Sequence, residues 1–308
     1  MDLALITFKQ VFILFMLIFA GFVAVKAKVV RLEDRKIFSN LLLYIVTPMM
    51  VIHSYMIDFD PDILNNILLS FGLSALLMIL GIIISFIVTA RMKNDNTPII
   101  RFACMYSNAA YMGFPLIEAL FGAEGMIYAS AFVTVFNLLL WTVGYGMVSH
   151  KVSPKEIVKS VFTNPVLYAV VIGLVIYLGR IPVPDILEKP VDSIGSMNTP
   201  LAMIVTGMII AGSKIKSILC NKNIWFIIAV RMFLVPVMCL LLFSLIGVSG
   251  MAAQVVLLLE ACPTAAVTSV FAVQFNYEED LAAGAVVLTT FLSIIILPVC
   301  AMILTMIM

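Results

Sequence analysis

Charge is scarce in this 308-residue chain: 11% of its residues are Asp, Glu, Lys or Arg, while 63% are hydrophobic. Soluble domains carry about 25% charged and about 45–50% apolar residues. The scarcity excludes a sizeable water-soluble domain and points to an integral membrane protein. The 18 basic and 17 acidic side chains nearly cancel, leaving net +1, so no bulk attraction to nucleic acid is implied. The five cysteines (Cys104, Cys220, Cys239, Cys262, Cys300) are scattered and form no C-x-x-C pair. Neither a metal site nor a disulfide framework is suggested, and no cofactor is expected. No P-loop occurs, which argues against ATP-driven pumping by this chain. Asp2 precedes the first apolar run and a basic leader region is missing, so that run reads as a retained helix.

What the chain does have is long apolar runs. A helix needs about 20 predominantly apolar residues to cross a bilayer. Ten segments qualify or nearly do: 5–25, 37–57, 63–90, 99–120, 126–148, 165–178, 186–211, 224–246, 251–275 and 281–306. The sixth is short, and the seventh begins in a polar stretch and meets the bilayer near Ser196. The odd-numbered connections hold the basic residues: Lys26, Lys28, Arg31, Arg35 and Lys36; Arg91 and Lys93; Lys151, Lys155 and Lys159; Lys214, Lys216 and Lys222. The positive-inside rule places those connections in the cytoplasm and both termini outside. The acidic Glu278-Glu279-Asp280 turn dissents, but acidic residues contribute little to topology.

Two segments are interrupted by polar residues and a proline at mid-length. The fourth contains Asn108…Gly113-Phe114-Pro115, and the ninth contains Glu260-Ala261-Cys262-Pro263-Thr264 followed by Thr268 and Ser269. Proline deletes a backbone donor and strains the preceding turn. In lipid, such freed groups are tolerated only inside protein or beside a water-filled cavity. The second and seventh segments also match, with Thr47-Pro48 and Thr199-Pro200. Five spans per repeat is an odd number, so the second repeat enters from the opposite face. The expected architecture is an all-α polytopic membrane protein of ten transmembrane helices. They form two inverted five-helix repeats, residues 1–150 and 151–308, with broken, crossing helices in the fourth and ninth segments, a plan common among secondary transporters.

These residues resemble the auxin efflux carrier family. The Asn108…Gly113-Phe114-Pro115 break followed by Phe121-Gly122-Ala123-Glu124-Gly125 looks like the fourth helix of that family. Asn164-Pro165, Pro263, Glu279-Asp280-Leu281-Ala282 and Thr289-Thr290-Phe291-Leu292-Ser293…Leu297-Pro298 fit the same pattern. The similarity covers essentially the whole chain, without the long cytoplasmic loop of many plant members. It looks like a compact bacterial member, a group that includes malate and other organic-acid permeases. The resemblance implies a scaffold of segments 1, 2, 6 and 7, often the dimer contact. It implies a transport unit of segments 3–5 and 8–10 that moves like an elevator. Plant members tend to place Asn-Pro at the crossover; here Asn108 precedes Ala109, and Cys262 precedes Pro263. Asn108 carries over as a ligand, while the second crossover would contribute backbone and Thr264.

The chemistry of such a crossover suits an anion. Each half-helix opens with unsatisfied backbone donors and roughly +0.5 of an elementary charge, and helix N-termini are ready-made carboxylate sites. The candidate binding residues are Asn108, Tyr111, Pro115, Pro263, Thr264, Thr268 and Ser269. Small hydroxyl residues also serve as packing glue between membrane helices, and that reading stands beside the functional one. Glu260 and Arg231 lie deep in apolar runs, where charge is expensive. Glu260 is either a proton-binding residue, with Arg231 attracting substrate or tuning it, or half of a buried pair that fastens the eighth and ninth segments. His53 is read as structural or as a group titrating near neutral pH. Glu118 reaches water, Lys9 snorkels outward, and the acidic turn is a solvated loop.

The leading function is secondary transport of a small organic anion, such as a dicarboxylate like malate. Proton coupling comes first, with sodium coupling and uniport open. A multi-pass protein of the cell (inner) membrane, working as a homodimer through its scaffold, is expected. The alternatives are an anion channel and a sensor that binds without flux. An intramembrane enzyme is disfavoured: no H-E-x-x-H occurs, and neither interrupted segment holds a histidine to activate a nucleophile.

Overall fold

In the computed structural model, residues 2–149, 165–212 and 215–307 are described. Regular structure among them is helical, apart from one isolated antiparallel bridge. Among the described residues, six helices are long and apolar enough to cross a membrane: Leu32–Ser54 (α2), Pro61–Val88 (α3), Ala109–Ser149 (α5), Asp185–Ala211, Lys222–Ile246 (α9) and Glu279–Leu304. The last belongs to a helix spanning Glu279–Ile307 (α12). Shorter apolar stretches are Phe12–Lys26 within Asp2–Lys26 (α1), Pro165–Leu178 (α6) and Met251–Glu260 (α10). Thr97–Met105 (α4) and Val267–Gln274 (α11) are half-helices. This is a multi-pass membrane protein. Phe12, Phe19, Leu245 and Ile295 are exposed, as expected of faces solvated by lipid rather than water.

The Asp185–Ala211 span has a polar first part, Asp185–Gly195 (α7), and an apolar second part, Asn198–Ala211 (α8). The join lies at Ser196 and Met197, where the sequence changes from acidic to apolar. The basic residues Lys151, Lys155, Lys159 and Lys214, with Asn164, lie outside the described residues.

Three prolines shape the helices in the same way. The π-turns Leu42–Val46, Ala109–Gly113 and Ala229–Leu234 each end two residues before a proline: Pro48, Pro115 and Pro236. A proline ring presses on the carbonyl four residues back and offers it no donor. Those carbonyls belong to Tyr44, Tyr111 and Met232, inside each widened turn. The π-bulge relieves the clash without breaking the helix. A fourth π-turn, Leu140–Gly144, has no such proline. This corrects one expectation: Pro115 does not break its helix. It lies in an early turn of a continuing helix, and the interruption falls upstream, between Met105 and Ala109.

The 41 residues of α5 would reach about 60 Å at 1.5 Å per residue, twice a hydrocarbon core. The helix instead turns at Gly122, with φ 61 and ψ −152. Only glycine reaches that region without strain. A short arm therefore precedes Gly122 and a full span follows it, as the gap between the fourth and fifth segments anticipates.

α1 packs along α8, and α6 packs along α2. A β-carbon on Gly207 would run into the backbone of Ile18 and Phe22, and one on Gly21 into that of Ile204. The two helices approach nearly backbone to backbone, as small residues permit in membranes. Thr47 donates to Asn198 Oδ1 at 3.0 Å, tying α2 to α8 beside Pro48 and Pro200.

Candidate functional site

The site is built where two helices stop. α4 ends at Met105, and Tyr106 turns extended, with φ −102 and ψ 123. α10 ends at Glu260, and its continuation resumes as α11 only at Val267. The two gaps lie against each other: Ser107 and Thr264 form an antiparallel bridge. The Asn108 N–H donates to the Pro263 carbonyl at 2.7 Å, and the Ala265 N–H donates to the Tyr106 carbonyl at 2.9 Å. Interrupted backbone thus satisfies interrupted backbone, which is the condition for non-helical chain at membrane depth. The fourth and ninth segments are broken and in contact, as the sequence led one to expect.

Arg231 closes one side of the crossing. Its side chain is fully buried. Nη1 lies 2.9 Å from Glu260 Oε1 and donates to the Met105 carbonyl at 3.1 Å and the Cys104 carbonyl at 3.5 Å. Nε donates to the Cys262 carbonyl at 3.2 Å, and Nη2 to the Glu260 carbonyl. One guanidinium therefore caps the C-terminal ends of α4 and α10, both negative poles of helix dipoles. Glu260 is 1% exposed, and its Oε2 has no partner among the described residues.

The half-helix N-termini also lie at the interruptions, where α5 begins after Asn108 and α11 after Ala266. Here polar atoms are left over. Ser107 Oγ, Asn108 Nδ2, Thr268 Oγ1, Ser269 Oγ and Thr290 Oγ1 are buried without hydrogen-bond partners among the described residues. A buried unmade hydrogen bond costs about 1–3 kcal/mol, so each of these groups calls for a counterpart such as a ligand or water. Asn108 is 4% exposed and Thr268 0%, while Ser269 and Tyr111 are partly exposed.

The expected residues separate into groups. Asn108, Thr268 and Ser269 contribute unpartnered groups. Thr264 does not: its hydroxyl donates to the Ala103 carbonyl at 3.1 Å, and its N–H to Thr289 Oγ1 at 3.1 Å. Pro263 supplies the carbonyl that holds Asn108. Tyr111 is half-buried, with Ser39 at its hydroxyl. It packs against the cluster of Val205, Ile209, Ala266 and Val286, as does Phe38, so α8 lies against both half-helix starts. Pro115 is buried further along α5, away from the interruption. Ser107, Thr289 and Thr290 were not singled out as site residues. The signal for the last two was a polar stripe in an apolar helix, with Thr289 and Ser293 one turn apart. Ser293 Oγ reaches Met112 Sδ at 3.6 Å.

His53 lies outside the crossover, 3.7 Å from Asp192 and 3.9 Å from Glu188. Thr199 donates to the exposed Glu118 at 3.5 Å. Glu278 in the acidic turn accepts from Asn96 at 3.2 Å and Asn221 at 3.3 Å, so amides hold it in place. Among the described residues, no group of three or more His, Cys, Asp or Glu is placed to hold a metal ion.

A family profile described as membrane transport protein matches residues 6–160 and 148–301. An uncharacterized transporter of Methanocaldococcus jannaschii is 22% identical over 303 residues, which is 95% of this chain and 97% of that protein. An uncharacterized transporter of Methanothermobacter thermautotrophicus is 23% identical over 205 residues, 66% of each chain.

Proposed function

The chain belongs to the membrane transport protein family, of auxin efflux carrier type, and on that premise we propose that it is a secondary carrier of small organic anions. Dicarboxylates such as malate fit best. The observation that carries this reading is the set of unpartnered buried groups (Asn108 Nδ2, Ser107 Oγ, Thr268 Oγ1, Ser269 Oγ) at the N-terminal ends of α5 and α11. Two helix N-termini and several neutral donors stabilise a carboxylate. No fixed positive charge holds it there, so it can leave again. Arg231 is engaged with carbonyls and Glu260 instead.

Burial of Ser107, Asn108 and Thr268 supports carriage over free conduction, since a ligand held there needs the site to open alternately to the two sides. In the proposed architecture, residues 1–150 and 151–308 are inverted five-span repeats. α1, α2, α6, α7 and α8 are a scaffold, through which two copies pair. α3, α4, α5, α9, α10, α11 and α12 are the moving unit. The reciprocal packing of α1 on α8 and α6 on α2 supports this arrangement. Odd-numbered connections face the cytoplasm of the cell membrane, and both termini face outward. Glu260 is the candidate for a transported proton.

Uptake into proteoliposomes, in competition with a panel of mono- and dicarboxylates at two pH values, tests the proposal. Saturable, competable uptake is expected. Flux that rises without saturation makes the protein a channel, and tight binding without flux makes it a sensor.

A further inference from the structure

Five oxygens surround the Arg231 guanidinium. The carbonyls of Cys104, Met105, Glu260 and Cys262 and the carboxylate Oε1 of Glu260 converge on one guanidinium. All the residues involved are buried. Carbonyl and carboxylate oxygens in such number are the donor set of hard, oxygen-seeking cations. The cage is also electrically demanding. Two helix C-termini bring roughly half a negative charge each, and an ionised Glu260 adds a full one. Space for the cage is kept by α3, where a β-carbon on Gly81 would stand 3.3 Å from Glu260 Oε1 and 3.9 Å from the Met105 carbonyl.

We propose that Arg231 is a resident cation: its guanidinium fills an oxygen cage at the crossover, so the protein has no use for bound Na+ there, and removing the side chain opens a site for a small cation. The inference deepens the carrier reading by excluding Na+ as the coupling ion at this point. Its test reads cation binding and does not depend on transport. A protein that moves no organic anion would overturn the carrier reading and leave this assignment standing.

The measurement is thermal unfolding of the purified full-length protein in detergent, with NaCl compared against choline chloride at equal ionic strength. For the native protein the two midpoints coincide. Arg231→Ala melts lower in choline. Millimolar Na+ or millimolar guanidinium raises its midpoint, because either ion fits among the vacated oxygens. Arg231→Lys keeps a charge in the cage and shows no preference between Na+ and choline. A native protein stabilised by Na+ over choline overturns the proposal, as does an Arg231→Ala protein that responds to neither small cation. If Arg231→Ala cannot be purified, the native and Lys proteins decide: insensitivity in both supports the assignment, and Na+-specific stabilisation of either refutes it.

Discussion

Ser107 and Thr264 come from opposite halves of the chain and face each other across an antiparallel bridge at the centre of the protein. The bridge joins the two interruptions, so each supplies the hydrogen-bond partners the other has lost. The residues flanking it divide by duty. Arg231 seals helix C-termini, while Asn108, Thr268 and Ser269 present groups without partners among the described residues. The predictions follow from that division.

Asn108→Ala removes a side-chain amide whose nitrogen has no partner. Folding should be nearly unaffected, and unfolding midpoints should agree with the native protein. A lost ligand hydrogen bond is worth about 0.5–1.5 kcal/mol, so half-saturation should rise several-fold in proteoliposome uptake. Unchanged uptake removes Asn108 from the site.

Glu260→Gln leaves Arg231 buried without its counter-charge. Breaking a buried pair costs about 3–5 kcal/mol, so a marked drop in the unfolding midpoint is expected. If Glu260 carries the proton, the pH dependence of uptake should also flatten. A variant that is destabilised yet keeps its pH profile assigns Glu260 to the clamp alone.

Pro115→Ala and Pro263→Ala should differ. The first restores a donor to the Tyr111 carbonyl in a turn that already continues as helix, and uptake should change little. The second lets α10 extend through the interruption that positions Asn108. Uptake should fall with the protein still folded. Equal effects of the two would show that the position of the break does not matter.

Gly207→Ala and Gly72→Ala form a matched pair on apolar helices. At Gly207 a β-carbon collides with the backbone of Ile18, whereas at Gly72 nothing lies within 4 Å. Alanine is favoured over glycine inside a helix by about 0.8–1.0 kcal/mol, so Gly72→Ala should melt at or above the native temperature. Gly207→Ala should melt well below it. The comparison is made on purified protein in one detergent.

The apolar runs, the polar interruptions and the pairing of Arg231 with Glu260 could all be read from sequence, because each is a local departure from an apolar background. Pro115 misled: proline marks strain, but an early helical turn or a π-bulge absorbs it, and nothing local distinguishes absorption from rupture. Ser107, weighed only as a nucleophile for the disfavoured enzyme reading, was not read as a ligand because a single serine between aromatic and amide neighbours carries no binding pattern. The second duty of Arg231, holding the carbonyls of Cys104 and Met105, depends on two distant segments meeting. No spacing within α9 encodes that. The tie between Thr47 and Asn198 is of the same kind: the matching Thr-Pro steps were evident, the bond between the helices that bear them was not.

A single guanidinium gripping the terminal carbonyls of both α4 and α10 has a mechanical result. The two broken rods are riveted at their intersection, so pulling one drags the other. On the proposed carrier reading, a ligand held at this intersection would move together with both rods rather than be released by parting them.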